Sequence, residues 1–92
     1  MEQVVLLPGL MCDERLFGPI IKPLKKNYRV HTPVMDRFKS MDEMANFVLN
    51  SISGSFHTVG LSMGGIIAMK LAINNPSRVK SMILMDTSPH SD

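Results

Sequence analysis

The sequence predicts an α/β fold, in which a parallel sheet of about four strands is flanked by helices. Short apolar runs that end at Pro or Gly alternate with segments of helical periodicity along the 92 residues. This alternation favours parallel strands joined by right-handed crossovers. The chain contains 45% hydrophobic and 20% charged residues, which is ordinary for a globular protein. Its length allows one small domain, residues 1–92.

The elements are predicted from hydrophobic periodicity and from the residues that end each run. The apolar run Val4–Leu7, stopped by Pro8, is typical of a strand buried on both faces of a parallel sheet. A first helix begins near Phe17 or Pro19, and Pro23 is expected to kink or shorten it. The later elements are a strand at Tyr28–Val34, a helix at Ser40–Ser53, a strand at Phe56–Val59, a helix at Met63–Asn74 and a strand at Lys80–Met85.

Two of these helices have particular features. Ser40 and Glu43 form a capping box at the start of the second helix. Its buried face is lined by Met41, Met44, Val48 and Ile52, with Phe47 beside them. The helix Met63–Asn74 is apolar almost all round, and we therefore expect it to be buried on most sides in a central position.

The residues Gly60–Gly64 read G-L-S-M-G and stand between a predicted strand and a predicted helix. A strand that enters G-x-S-x-G and a helix that leaves it form a nucleophile elbow. Gly60 and Gly64 permit the close backbone approach that the turn requires. The strained backbone of this tight turn lifts the Ser62 hydroxyl above the sheet edge and places it at the N-terminus of the following helix. If the strand order is 2-1-3-4, the loop after the first strand lies beside Ser62, at the sheet edge where ligands bind.

Several other classes of function are disfavoured. The net charge of +2 is too small and too scattered for nucleic-acid binding. The single cysteine, Cys12, is interpreted as a small semi-buried thiol, and its solitary occurrence fits a reducing cytoplasm. The sequence shows no signal peptide, and no apolar run reaches the ~20 residues that cross a membrane. Neither a metal-ligand spacing nor a phosphate-binding loop is present, so we expect no cofactor.

The segments Leu6–Asp13 and Gly60–Gly65, extended by Asn75–Val79 and Leu84–Asp86, resemble the α/β-hydrolase superfamily. The resemblance covers nearly all of the chain and implies that Ser62 is the nucleophile. It also implies that the backbone N–H groups of Leu10 and Met63 form the oxyanion hole. Many relatives have histidine where this chain has Pro8. The implied substrate is a carboxylic ester, a thioester or a similar acyl compound, whose identity the resemblance does not define.

In this superfamily the acid and the histidine of the catalytic triad follow the serine, the histidine after the last strand. The resemblance therefore implies an incomplete core, the N-terminal part of a single hydrolase domain that is truncated. His57 begins the third strand, roughly 16 Å from Ser62 at ~3.3 Å per residue and at the wrong end of the sheet. His31 is expected near the carboxyl end of the second strand, but this strand is the outer edge in the assumed order. Asp86 and His90 are the acid and base candidates that remain, provided that the tail folds back over the elbow.

Two hypotheses from different classes follow. In the first, the protein is a serine hydrolase whose 92-residue chain is weak or inactive alone. In the second, the chain is a non-catalytic fragment that pairs with itself or with a complementary half. In both, the apolar strand Met82–Met85 would be an unprotected edge, which predicts a homo-oligomer through this strand.

Overall fold

The computed structural model describes residues 1–8, 17–33 and 40–85. Its elements are β1 (Glu2–Leu7), α1 (Gly18–Lys25), β2 (Tyr28–His31), α2 (Met41–Ser51), β3 (Phe56–Leu61), α3 (Met63–Asn74) and β4 (Val79–Met85). The four strands form one parallel sheet in the order β2-β1-β3-β4. The predicted fold class and strand order are therefore confirmed.

The sheet is covered on both faces because the side chains of β1 alternate between two apolar clusters. Val5 and Leu7 pack with buried residues of α2 and α3. Val4 and Leu6 pack on the opposite face with Phe17, which precedes α1, and with residues of β3. All four of these β1 side chains are buried, as expected for a central strand of a parallel sheet.

The ends of α2 are fixed by side chains. At its start, the Ser40 hydroxyl accepts a hydrogen bond of 3.1 Å from the backbone N–H of Glu43, which is the serine half of the predicted capping box. At its end, the Arg78 guanidinium donates to the carbonyl oxygens of Leu49, Ile52 and Gly54. Arg78 thus ties the segment before β4 to the α2–β3 connection.

The predicted ends of α2 and β3 shift by two residues, to Ser51 and Leu61. Two further elements differ from the prediction. β2 ends at His31 instead of Val34. Pro33 follows two residues later and has no N–H to donate to a ladder. The helix α3 has the predicted bounds, but it is less enclosed than predicted, because Ile66, Met69 and Ile73 are exposed.

The strand β4 forms one edge of the sheet. Met82, Ile83, Leu84 and Met85 are all exposed, so the predicted exposed apolar edge is confirmed for the part of the chain that the structure describes. In the described ranges, every helix is too short or too polar to span a bilayer.

Candidate active site

Ser62 lies in the turn between β3 and α3 and has an unusual backbone conformation. Its φ is 55° and its ψ is −115°, and it is the one non-glycine residue with positive φ in the described part of the chain. A side chain in this region costs on the order of 1–3 kcal/mol and persists only where neighbouring structure imposes it. The turn that Gly60–Gly64 form around this residue is called the Ser62 turn below.

The neighbouring structure that imposes this backbone is a close approach of β1, β3 and α3. A Cβ atom on Gly60 would lie 2.5 Å from the carbonyl oxygen of Gly64, within the first turn of α3. A Cβ atom on Gly64 would overlap the carbonyl group of Leu7 at the end of β1. Only glycine fits at these two positions, so the sequence pattern corresponds to a steric requirement.

The Ser62 side chain is exposed and is not used to cap the helix that it precedes. Serine at this position commonly accepts a hydrogen bond from the first turn, but here no such bond forms. Met63 is the first residue of α3, and its backbone N–H therefore has no partner within the helix. The Ser62 hydroxyl, which makes no capping bond, thus stands beside helix N–H groups and the positive end of a helix dipole.

The Ser62 turn is also anchored to the end of β4. The Ser62 backbone N–H donates to the carbonyl oxygen of Met85 at 3.1 Å, and the Ser62 carbonyl accepts from Gly65 at 2.8 Å. Met85 is the residue directly before Asp86, the acid candidate predicted from the sequence. The predicted residues Leu10, Cys12, Asp86 and His90 lie outside the described part of the chain.

Neither histidine that the structure describes is close to Ser62. His57 lies level with Val4 at the start of β3, five residues before Ser62. His31 pairs with Val5, which pairs in turn with Thr58. His31 therefore lies two strands away from β3, level with a residue that precedes Ser62 by four positions. It is further from the carboxyl edge of the sheet than the sequence predicts. Within residues 1–8, 17–33 and 40–85, the structure provides no imidazole at the Ser62 turn.

His31 instead borders a cavity of about 310 Å³ between the end of β2 and α2. Burial lowers the pKa of His31 below its usual value, and repulsion from Arg29 adds to this effect. Its Nε2 donates to the Gln3 side-chain oxygen at 2.9 Å, since the amide nitrogen of Gln3 is already used as a donor to Ser53. The cavity contains no residue of the Ser62 turn, so we do not assign it to the same site.

A cluster of polar side chains at the opposite end of the sheet was not predicted from the sequence. His57 lies between Ser81, at 2.6 Å from Nδ1, and Glu2, at 2.5 Å from Nε2. These residues belong to three strands and meet because of the strand register. No short sequence motif indicates such a contact. Nowhere in the described residues do three His, Cys, Asp or Glu side chains form a group that could hold a metal ion.

The chain resembles known hydrolases along most of its length. Residues 21–92 match the family model for the alpha/beta hydrolase fold. The pimeloyl-[acyl-carrier protein] methyl ester esterase of Legionella pneumophila (strain Corby) is 33% identical over 95 residues. The enzyme with the same name from Aliivibrio salmonicida is 31% identical over 96 residues. An alpha/beta hydrolase from Novosphingobium aromaticivorans superposes with a TM-score of 0.72 at 29% identity.

These similarities concern one part of each relative. The two esterase alignments include 94% and 96% of this chain, but 38% and 37% of the relatives. The superposition covers 90% of this chain and 34% of the Novosphingobium protein. The chain therefore spans less than two fifths of the length of the curated relatives that it matches.

Proposed function

This chain belongs to the alpha/beta hydrolase fold family, and on that premise we propose that it carries the nucleophile of a carboxylic ester hydrolase. The observation that carries the proposal is the backbone of Ser62. A strained serine with an exposed hydroxyl and no capping bond is suited to attack an acyl carbon at a helix N-terminus.

In the proposed reaction, the Ser62 Oγ attacks the ester carbonyl and the alcohol leaves. Water then hydrolyses the resulting acyl-serine. The backbone N–H groups of Met63 and Leu10 bind the negative charge that develops on the carbonyl oxygen. Gly64 supports this arrangement because its close approach to the carbonyl groups of Leu7 and Pro8 brings the end of β1 against the first turn of α3.

We assign the general base to His90 and the acid to Asp86. The hydrogen bond between the Ser62 N–H and the Met85 carbonyl supports this assignment, since it places the chain immediately before Asp86 next to the nucleophile. A thioester or similar acyl compound is an alternative substrate. The relatives are named for a methyl ester of a pimeloyl group on an acyl-carrier protein, and this chemical class is therefore the first to assay.

A second candidate function is a non-catalytic fragment that pairs with itself or with a complementary half. The observation that favours it is the distance of His31 and His57 from Ser62, set by the strand register. A serine without a base is a poor nucleophile. In this case Met82–Met85, the exposed edge of the sheet, is the surface that pairs.

Covalent labelling with a fluorophosphonate probe separates the two candidates. The chain and its Ser62→Ala variant would be labelled under native conditions, and the modified serines would be identified by tandem mass spectrometry. An adduct on Ser62, with ester hydrolysis that falls at least ~10²-fold in Ser62→Ala, supports the hydrolase. A folded chain, shown by circular dichroism, that has no adduct on Ser62 supports the non-catalytic fragment.

The same measurement tests the proposed base. His90→Ala and Asp86→Ala should lower the rate of Ser62 modification if these residues act with Ser62. His31→Gln is the matched control, because His31 lies two strands away and its replacement should leave that rate unchanged. An equal rate in the chain and in His90→Ala would exclude His90 as the base.

A further inference from the structure

A second serine of this chain makes the contacts that activate a hydroxyl. Ser81 lies on β4 directly beside His57 on β3, and its Oγ is 2.6 Å from His57 Nδ1. The other ring nitrogen, Nε2, is 2.5 Å from the Glu2 carboxylate on β1. This group, called the Ser81 cluster below, lies at the start of the strands, whereas Ser62 follows the end of β3.

The hydrogen bonds fix the tautomer of the imidazole. An ionised carboxylate can only accept, so Nε2 must carry the proton that is shared with Glu2. In the neutral ring, Nδ1 is then the acceptor, and the Ser81 hydroxyl donates to it. The hydrogen bond from His57 and the nearby Lys80 ammonium lower the pKa of Glu2 below its usual value, which keeps this carboxylate ionised.

Two further observations concern the position and access of the cluster. The Tyr28 ring packs edge-on against the His57 ring, with centroids 6.0 Å apart, and thereby restrains its orientation. Ser81 is exposed on the edge strand, and a reagent can therefore reach its Oγ from outside the sheet. Serine nucleophiles are activated by an imidazole that is itself held by a carboxylate, with Nε2 facing the serine and Nδ1 facing the carboxylate. The Ser81 cluster has the same order of groups, but here Nδ1 faces the serine and Nε2 faces the carboxylate.

We propose that Ser81 is a second reactive serine, which accepts acyl or phosphonyl groups from activated esters and organophosphorus reagents. With a fluorophosphonate, the Ser81 Oγ forms a bond to phosphorus and the phosphorus–fluorine bond breaks. Fluoride leaves, and the hydroxyl proton passes to Nδ1 of His57 and then to solvent. Glu2 acts as a positioning residue, because it acts on Ser81 through the imidazole, and its carboxylate also contacts the Lys80 ammonium.

The proposal is tested by comparing Ser81 with Ser77 in the same labelling reaction. Both serines are exposed, but Ser77 has no histidine partner in the described ranges. Trypsin cleaves after Arg78 and Lys80, so the two serines fall in different peptides. We expect Ser81 to be modified at least ~10-fold faster than Ser77, since a positioned base contributes about 10²–10⁴ to such a step. Equal rates at the two serines would overturn the proposal.

Variants test the roles of the two other residues. His57→Gln should reduce modification of Ser81 to the rate of Ser77 and leave modification of Ser62 unchanged. In ¹⁵N spectra of the imidazole, Glu2→Gln should replace the single Nε2–H tautomer by a mixture, and the rate at Ser81 should fall with it. A rate at Ser81 that is unaffected by His57→Gln would contradict the proposal. Because adducts are assigned by site, failure at Ser81 is distinguishable from failure at Ser62.

Discussion

Gly64 is the residue where the Ser62 turn has the least space. A Cβ at this position would overlap the Leu7 carbonyl, whereas a Cβ on the neighbouring Gly65 would lie 3.5 Å from Leu84, an ordinary contact distance. Both glycines are buried in the first turn of α3. Alanine substitution at these two positions therefore distinguishes the steric effect of an added Cβ atom from the effect of alanine on helix propensity.

We expect Gly64→Ala to lower the free energy of unfolding by about 2 kcal/mol or more, because backbone atoms of β1 and α3 must separate. Gly65→Ala should change it by less than about 1 kcal/mol, since alanine favours the helix. Urea unfolding of both variants measures the difference. An equal loss of stability at the two positions would show that the contact between Gly64 and β1 does not restrain the turn.

The pKa of His31 makes a prediction about stability at mildly acidic pH. Because the folded state lowers this pKa below the ordinary value of 6.5, folding favours the neutral ring. The stability that this contributes is present above the ordinary pKa and is lost as the pH falls through the folded-state value. When the pH is lowered from about 7.5 to about 5.5, the free energy of unfolding of His31→Gln should therefore fall by less than that of the unsubstituted chain. Identical pH dependence of urea unfolding in the two proteins would contradict this.

At the scale of elements, Arg78 connects α2, β3 and β4. Its guanidinium donates to three carbonyl oxygens around the end of α2 and lies 5.5 Å from the Phe56 ring centroid. A lysine has no planar fork with which to reach several acceptors together. The contacts of Arg78 therefore depend on arginine itself and not only on its charge.

We expect Arg78→Lys to lower the free energy of unfolding by about 1.5–3 kcal/mol, the contribution of about one hydrogen bond to a charged group, since lysine keeps the charge but loses the fork that reaches several acceptors. Arg29 is exposed on β2, and Arg29→Lys is the control, with an expected change within about 0.5 kcal/mol. Thermal or urea unfolding measures both. If the two variants lose the same stability, the contacts of Arg78 do not hold the α2–β3 connection in place.

The elements that local signals define were predictable from the sequence. The bounds of α3 follow from Gly64 and from Asn75-Pro76, and the Ser40 cap follows from a motif of four residues. The exposure of Ile73 was not predictable, because hydrophobic periodicity describes a helix face but not what covers it. Leu10, Asp86 and His90 remain predictions, since they lie outside the described residues.

The Ser81 cluster shows a different limit of sequence reasoning. Glu2, His57 and Ser81 are up to 79 positions apart, and a register shift of one residue would turn each side chain to the other face. Only the observed pairing of Val4 with His57 and of His57 with Ser81 brings them together. By contrast, Ser62 was predictable because its whole turn is encoded within five residues.

At the scale of the whole molecule, the two edges of the sheet differ. The β2 edge is short and has the exposed, charged Arg29. On the β4 side, the exposed large apolar residues include Met82, Ile83 and Leu84 of β4 and Ile66 and Met69 of α3. An exposed edge strand that carries large apolar residues is a surface on which another strand can pair.

We therefore expect the chain to associate with itself through β4. Sedimentation velocity at ~100 µM should show dimers or larger species, because an open apolar edge provides unpaired backbone groups as well as side chains. Ile83→Lys introduces a charge into the middle of this edge and should shift the population to monomer. Ile73→Lys is the matched control: Ile73 is 77% exposed and Ile83 is 56% exposed, but Ile73 lies near the end of α3. A monomeric original chain, or an equal effect of both substitutions, would mean that β4 does not pair between copies.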